Sequence, residues 1–303
     1  LIPFNKTFEF DYGVPVQVTP RTRRVVAPNP GRFTFTGTGT YIVGRGAVAL
    51  IDPGPDRDDH FNALLAALQG ETVSHVFVTH QHMDHSPLAR RVAAHFGALV
   101  CGRSGAVYSE SGGAVRLDAE DDPGFRADIE LEDGWTVEGE GWSLKAIHTP
   151  GHTANHFCFA VPEDNVLLCG DHLMAWSTAV VSPPDGHMGD YLASLRRIRA
   201  ENFAMLIPAH GPEIPRPAAF IDAYIAHRVK REQQILDRLA SGPLTIAALV
   251  DDLYRDVERA LHPAARHMVM AHLIHMTERG VVTSDGALSI GATFRLARHA
   301  RVA

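Results

Sequence analysis

The chain has 303 residues, room for one large domain or two modest ones, and 45% of them are hydrophobic, enough for a sizeable core. Charged residues make up 21% and form no long blocks, which excludes general disorder, and the formal charge of −7 excludes a strongly basic nucleic-acid footprint. No apolar run reaches membrane-spanning length and no signal peptide is visible, so no membrane association and a cytoplasmic location are expected. Oligomeric state is not legible.

Residues 1–30 are polar and carry no clear element. Phe33 to Leu50 is strand-like, with a Gly44-Arg-Gly46 turn and a return strand Ala47–Ile51 that ends in the tight turn Asp52-Pro-Gly-Pro55. Phe61, Leu64, Leu65 and Leu68 give 57–69 the periodicity of a helix. A short apolar strand from Val73 to Val78 follows. Pro87 to Phe96 reads as the next helix, with Ser86 as its cap and Pro87 in its first position. Ala98–Cys101 is another strand, so the first part of the chain alternates in an α/β layout.

Beyond residue 135 the chain becomes richer in strands. Those at 136–138, 142–147, 156–160 and 165–169 are short, closely spaced and separated by Gly, Asp and Pro turns, a density that suggests two sheets. A helix at 189–200 and a strand at 203–207 complete this unit. Cys101, Cys158 and Cys169 lie in apolar strand-like contexts without ligand spacing and are expected as buried small hydrophobes. The Pro-rich stretch 211–218 marks a joint, giving expected domains at 1–218 and 219–303. The second unit reads as helices at 218–240, 245–253 and 263–279, then a hairpin turning at Ser284-Asp-Gly286, the element order of a winged helix.

The chemistry concentrates in Thr79-His-Gln-His-Met-Asp-His85, where His80, His82, Asp84 and His85 crowd into six residues. His-x-His puts two imidazoles on one face of an extended segment and leaves Asp84 and His85 to point elsewhere. Three later positions follow strand ends beside Gly or Pro: His152, Asp171 and His210. Seven ligands exceed one tetrahedral ion but suit two. His80, His82 and His152 would hold one, Asp84, His85 and His210 the other, and Asp171 would bridge them. Imidazole and carboxylate donors suit Zn²⁺, with Mn²⁺ or Fe²⁺ as alternatives. The expected nucleophile is a metal-bound hydroxide, with Asp84, Asp171 and the adjacent His172 as catalytic candidates.

These motifs, in this order, resemble the metallo-β-lactamase superfamily over about 1–215. The resemblance implies an αββα sandwich, two sheets between helical layers, followed here by a winged-helix-like α+β domain. It implies a metal-dependent hydrolase without choosing the substrate. Thr36-Gly-Thr-Gly-Thr-Tyr-Ile-Val-Gly44, Asp171-His-Leu-Met-Ala-Trp-Ser177 with Ser182-Pro-Pro-Asp-Gly186, and His227-Arg228 with Arg231–Leu236 are similar to segments of the β-lactamase-like protein 2 group. That similarity implies an endoribonuclease acting on single-stranded RNA. Gln81, Met83 and Ser86-Pro87 depart from that group's first motif without removing a ligand. Ser177, Ser182 and Asp185 are expected at the mouth, and Trp176 as a core or rim residue or a base-stacking platform. Alternatives are a thioester hydrolase of the hydroxyacylglutathione type, a lactone or lactam hydrolase acting on a small substrate, and a non-catalytic binding module stabilised by metal. Arg228, Lys230, Arg231 and Arg238 beside Glu232 and Asp237 read as a mixed solvated helix face, and His262, His267, His272 and His275 as residues without a carboxylate cluster.

Overall fold

A computed structural model describes residues 1–105 and 120–297. Seven strands in chain order form the first sheet: β1 (Val16–Gln17), β2 (Thr22–Val26), β3 (Gly39–Arg45), β4 (Ala47–Ile51), β5 (Thr72–Phe77), β6 (Leu99–Gly102) and β7 (Ile129–Glu130). β1 to β4 pair antiparallel, and β4 to β7 pair parallel. The crossovers between parallel strands include α1 (Asp58–Ala67) and α2 (Ala89–Phe96). The second sheet holds β8 (Thr136–Gly139), β9 (Trp142–His148), β10 (Phe157–Val161), β11 (Val166–Gly170), β12 (Met205–Pro208) and β13 (Ile214–Pro215), with α3 (Met188–Glu201) crossing from β11 to the parallel β12.

Alternating apolar residues explain the layers. Tyr41, Val43 and Phe77 from the first sheet meet Leu144, Phe159 and Leu168 from the second in one buried cluster. Phe77 and Phe159 pack with ring centroids 5.2 Å apart, and burying an aromatic of this kind contributes about 1.5–3 kcal/mol. Outer faces are covered by α1 and α2 on one side and by α3 on the other. The αββα sandwich expected from the sequence is therefore present. All three cysteines are free and buried.

Several local readings need correction. Residues 1–30 contain the paired strands β1 and β2, whose alternation is masked by Arg23 and Arg24. Phe33 to Thr36 is turn rather than strand, with an isolated bridge between Gly31 and Phe35. Ser86 does not cap α2. Its hydroxyl donates to Asp122 Oδ2 at 3.0 Å, and the helix starts two residues later behind Leu88. The Pro-rich joint contains β13, added antiparallel to β12.

The C-terminal unit comprises α4 (Pro217–Leu239), β14 (Leu244–Thr245), α5 (Ile246–Leu253), α6 (His262–Glu278), β15 (Val282–Ser284) and β16 (Thr293–Leu296). Its sheet runs β14-β16-β15. The turn at Ser284-Asp-Gly286 begins a longer connection, because β16 resumes only at Thr293. The expected boundary at 218/219 falls inside the first turn of α4, which serves both units. Phe220, Ile221 and Tyr224 pack with α3 and the second sheet, whereas Ile235 and Leu239 enter the core of the C-terminal unit.

Lys230, Asp237 and Arg238 are exposed on α4 as expected, but Arg228 and Glu232 leave the mixed solvated face. Arg228 is buried, donating to the Ala179 carbonyl at 2.6 Å and lying over the Tyr191 ring. Glu232 is also buried and faces His275 at 2.8 Å, His272 at 3.5 Å and Arg279 at 3.2 Å. The carboxylate absent from the local sequence of α6 thus arrives from another helix. Burial opposes ionisation of Glu232, but its hydrogen bonds with His272 and His275 hold its pKa down at about 2. Burial keeps His272 neutral, lowering it to about 4, so Arg279 supplies a lasting positive charge opposite Glu232. Arg238 is ion-paired to Asp252, and Arg295, near the wing, to Asp285.

Candidate metal centre

Strand direction brings the site together. β4 and β5 are parallel, so Asp52 and the Thr79–His85 loop emerge at the same edge of the first sheet. β9, β11 and β12 run alike in the second sheet, so His152, Asp171 and His210 follow their ends at one edge. Two backbone hydrogen bonds join these edges, from the Phe157 N–H to the Thr79 carbonyl at 2.8 Å and from the Gly39 N–H to the Ala209 carbonyl at 2.8 Å. Gly151, with φ 141°, lets its backbone approach α3 so closely that a Cβ would lie 2.3 Å from Tyr191 Cα. The next residue is His152.

All seven residues singled out in the sequence converge. His80, His82 and His152 form one group, Asp84, His85 and His210 another, and Asp171 joins His80 and His85 in a third, with ligand atoms within 4.8 Å in each. Asp171 faces both sides. Its Oδ2 lies 3.8 Å from His152 Nε2, while its Oδ1 lies 3.7 Å from His85 Nε2 and 3.3 Å from His210 Nε2. Asp84 Oδ2 is 3.4 Å from His85 Nε2 and 3.2 Å from His210 Nε2.

Outer contacts fix which nitrogen each ring presents. His152 Nδ1–H donates to the Val180 carbonyl at 2.7 Å, and His210 Nδ1–H to the Gly37 carbonyl at 3.2 Å. Asp52 holds His85 Nδ1 at 2.9 Å and accepts from both the N–H and the hydroxyl of Thr79. With its proton given to Asp52, the Thr79 oxygen accepts from His80 Nδ1–H at 3.0 Å. His80 Nε2 and His152 Nε2 then approach His82 Nδ1 at 2.9 and 3.3 Å. Burial, with the neighbouring histidines, pushes His80 and His82 well below their ordinary pKa. Converging nitrogens, with the outward nitrogens of His80 and His152 committed to Thr79 and Val180, are a donor set for a cation. The second group agrees: Asp84 Oδ1, Asp171 Oδ1, His85 Nε2 and His210 Nε2 are buried without a hydrogen-bond partner.

Electrostatics separates the two halves. Burial opposes the charge on Asp84 and Asp171, but His85 and His210 prevail and hold both carboxyls well below the usual range. Burial likewise opposes protonation of His85 and His210. The surrounding carboxylates nevertheless raise both, His210 to about 10. Metal-free protein at pH 7 therefore carries protons on these two rings, which a bound cation must displace. Loading should release about two protons per chain at neutral pH, and affinity should fall as pH drops. Calorimetric titration in buffers of different ionisation enthalpy reads this directly. The sign for folding follows. The stabilisation from His210 is complete below its ordinary 6.5 and disappears as pH rises through about 10, so the metal-free protein weakens across that interval.

Other sequence expectations are placed differently. His172 is fully buried, its ring packed against Tyr191 at 5.1 Å, and burial lowers its pKa to about 3. It does not line the pocket in front of the cluster. Ser177 does line that pocket, but Ser182 faces His267 at 3.1 Å and Asp185 accepts from the Ala154 N–H at 3.0 Å. Trp176 is a half-buried rim residue stacked on Phe35, with ring centroids 4.9 Å apart. Sequence reasoning missed Asp52 and the Val180 carbonyl. Asp52 had one signal, an acidic residue ending a strand before Pro-Gly. The carbonyl had none.

The pocket, of about 540 Å³, reaches from Asp84, Asp171, His82 and His152 to α4 and α6. Its walls include Phe33, Met174, Trp176, Val180, Tyr254 and Met268. No helix among the described residues is long and apolar enough to cross a membrane.

Residues 34–210 match the family model described as Metallo-beta-lactamase superfamily, and residues 245–291 match the Beta-lactamase associated winged helix domain. The chain belongs to the metallo-β-lactamase superfamily, and its metal-binding clusters in this fold make it a metal-dependent hydrolase. It is 31% identical to the Beta-lactamase-like protein 2 homolog of Caenorhabditis elegans over 86% of this chain and 85% of that protein. It is 34% identical to the atrochrysone carboxyl ACP thioesterase AgnL7 of Paecilomyces divaricatus, over 78% and 72% of the two chains. A metallo-beta-lactamase family protein of Thermus thermophilus has the same fold, with a TM-score of 0.75 at 22% identity, covering 92% of this chain and all of that one.

Proposed function

We propose that the chain is a dinuclear metal hydrolase that cleaves acyl thioesters. His80, His82 and His152 would hold one ion, Asp84, His85 and His210 the other, and Asp171, which faces both groups, would serve both, with zinc suited to this donor set and Mn²⁺ or Fe²⁺ as alternatives. The observation that carries the substrate reading is the pocket. Its largely apolar wall ends at the carboxylates and imidazoles of the cluster, which suits an acyl group better than a polyanionic strand. The similarity to an ACP thioesterase supports the same choice.

When bound, a pair of divalent ions supplies Lewis-acid polarisation of the scissile carbonyl and acidifies water. The protein residues do the rest. Asp84 and Asp171 border the pocket as ionised acceptors, placed to orient attacking water. Phe33, Met174 and Met268 exclude bulk water from the acyl group. Water adds to the carbonyl carbon, the carbon–sulfur bond breaks, and the thiol leaves with a proton. His172, enclosed behind the site, acts as a packing residue in this scheme.

Single-stranded RNA is the second reading. It is favoured by Lys6, Arg32 and Arg231 on the pocket wall and by the similarity to the β-lactamase-like protein 2 homolog. Metal-loaded enzyme should be assayed on acyl-N-acetylcysteamine thioesters and on end-labelled RNA, with His82→Ala purified identically. Thioester turnover that falls at least about 100-fold in the variant is expected. RNA cleavage lost in the variant, without thioester turnover, would replace the first reading by the second.

A further inference from the structure

We infer that Tyr224 and Arg228 of α4 are positioning residues for the metal centre, acting through the 171–187 segment on His152. This inference rests on the metal-site reading above. The segment leaves β11 at Asp171 and reaches α3 without regular structure of its own. Within it, the Val180 carbonyl accepts from His152 Nδ1 and so directs Nε2 into the cluster. That carbonyl is only as well placed as the backbone carrying it, and the C-terminal helices hold much of that backbone.

Tyr224 and Arg228 are four residues apart and therefore share a face of α4. The Tyr224 hydroxyl lies against the Met174 carbonyl at 2.9 Å and the Ser177 carbonyl, and accepts from the Met174 N–H at 3.4 Å. Arg228 donates to the Ala179 carbonyl, immediately before Val180. From α6, Met268 sulfur accepts from the Val181 N–H at 3.2 Å, immediately after it, and His267 meets Ser182. Residues on both sides of Val180 are thus gripped by the C-terminal unit. Both Tyr224 and Arg228 are almost completely buried, and Arg228 lines the pocket with its guanidinium over Tyr191. A guanidinium buried without a carboxylate partner among the described residues, spent on a main-chain carbonyl, costs desolvation that an apolar side chain would avoid. Holding a loop in one geometry gives that cost a purpose. The C-terminal domain on this account does not merely cover the pocket. It tunes one of the two ion positions.

The consequence is asymmetric. Loosening the segment should weaken the ion held by His80, His82 and His152, while the position built by Asp84, His85 and His210 keeps its outer contacts to Asp52 and Gly37. Tyr224→Phe preserves the ring and removes only the hydroxyl, Arg228→Met preserves the stem, and Arg228→Lys retains a donor. Metal-free protein should be titrated with Zn²⁺ against a chromophoric chelator, with circular dichroism to verify the fold and nitrogen-15 NMR to follow the His152 Nδ1–H. Two resolved binding steps are expected in the wild type. Arg228→Met and Tyr224→Phe should weaken one step about 10–100-fold, leave the other within about threefold, and speed exchange of the His152 proton. Arg228→Lys should recover part of the loss.

Two unchanged steps in a folded variant would overturn the positioning role while leaving the dinuclear site standing, and so would equal weakening of both. Should Arg228→Met fail to fold, Tyr224→Phe decides by the same criteria. Wild-type protein that binds fewer than two ions would overturn both this inference and the reading beneath it.

Discussion

Replacing Asp171 with alanine is expected to lower turnover about a thousandfold and to leave neither ion tightly held. The two oxygens of this carboxylate face opposite halves of the cluster, Oδ2 towards His152 and Oδ1 towards His85 and His210. On the dinuclear proposal, its removal would take a ligand from both positions and a shielding negative charge from between them. Lewis-acid stabilisation contributes several kcal/mol to such reactions, and each 1.36 kcal/mol is tenfold in rate, which gives about three orders of magnitude. The variant should still fold, because His85 keeps Asp84 and Asp52, and His210 keeps Asp84, as charged partners. Metal analysis after gel filtration, beside single-turnover rates, measures both effects. A variant retaining two ions and a tenth of the activity would show that Asp171 does not bridge.

Asp52→Asn is expected to produce the second largest effect, although Asp52 lies outside both ligand groups. Its carboxylate accepts from the Thr79 backbone and hydroxyl and holds His85 Nδ1, all while almost completely buried. Asparagine tolerates the left-handed backbone at this position, where φ is 49°, so the turn should survive. What is lost is one charged acceptor serving His85 and, through Thr79, His80. Partners of this kind alter metal affinity about 10–100-fold when removed, and a buried donor left unsatisfied costs about 1–3 kcal/mol. Asp52→Asn should therefore bind metal more weakly at the His85 position and melt at a lower temperature even when metal-free. Unchanged affinity with a lowered melting temperature would reduce Asp52 to a purely structural role.

The residues that converge in the cluster were legible in the sequence because they sit where local chemistry is dense. His80, His82, Asp84 and His85 share one loop, and His152, Asp171 and His210 each follow a strand next to Gly or Pro. The continuous apolar runs Tyr41–Val43 and Phe157–Val161, bounded by turn residues, made the sheets readable too. Asp52 was hidden for a different reason. It lies 33 residues before His85, and only the parallel register of β4 and β5 puts the two side by side. Arg228 was hidden more deeply, since an arginine among Lys230, Arg231 and Glu232 looks solvated until Ala179 and Tyr191 enclose it. His172 misled by adjacency. Its neighbour Asp171 turns into the cluster, while the tight turn after β11 sends His172 back against Tyr191. The first strands were obscured because Arg23 and Arg24 are charged residues that the strand uses: Arg23 pairs with Glu71 and Arg24 with Glu213.

The most direct test of the account is a titration of metal-free protein with zinc while acyl-thioester hydrolysis is followed at each addition. A dinuclear thioester hydrolase predicts activity that rises to a plateau at two bound equivalents and disappears again on chelation. No thioester turnover at two bound equivalents, or full activity reached at one, would contradict it.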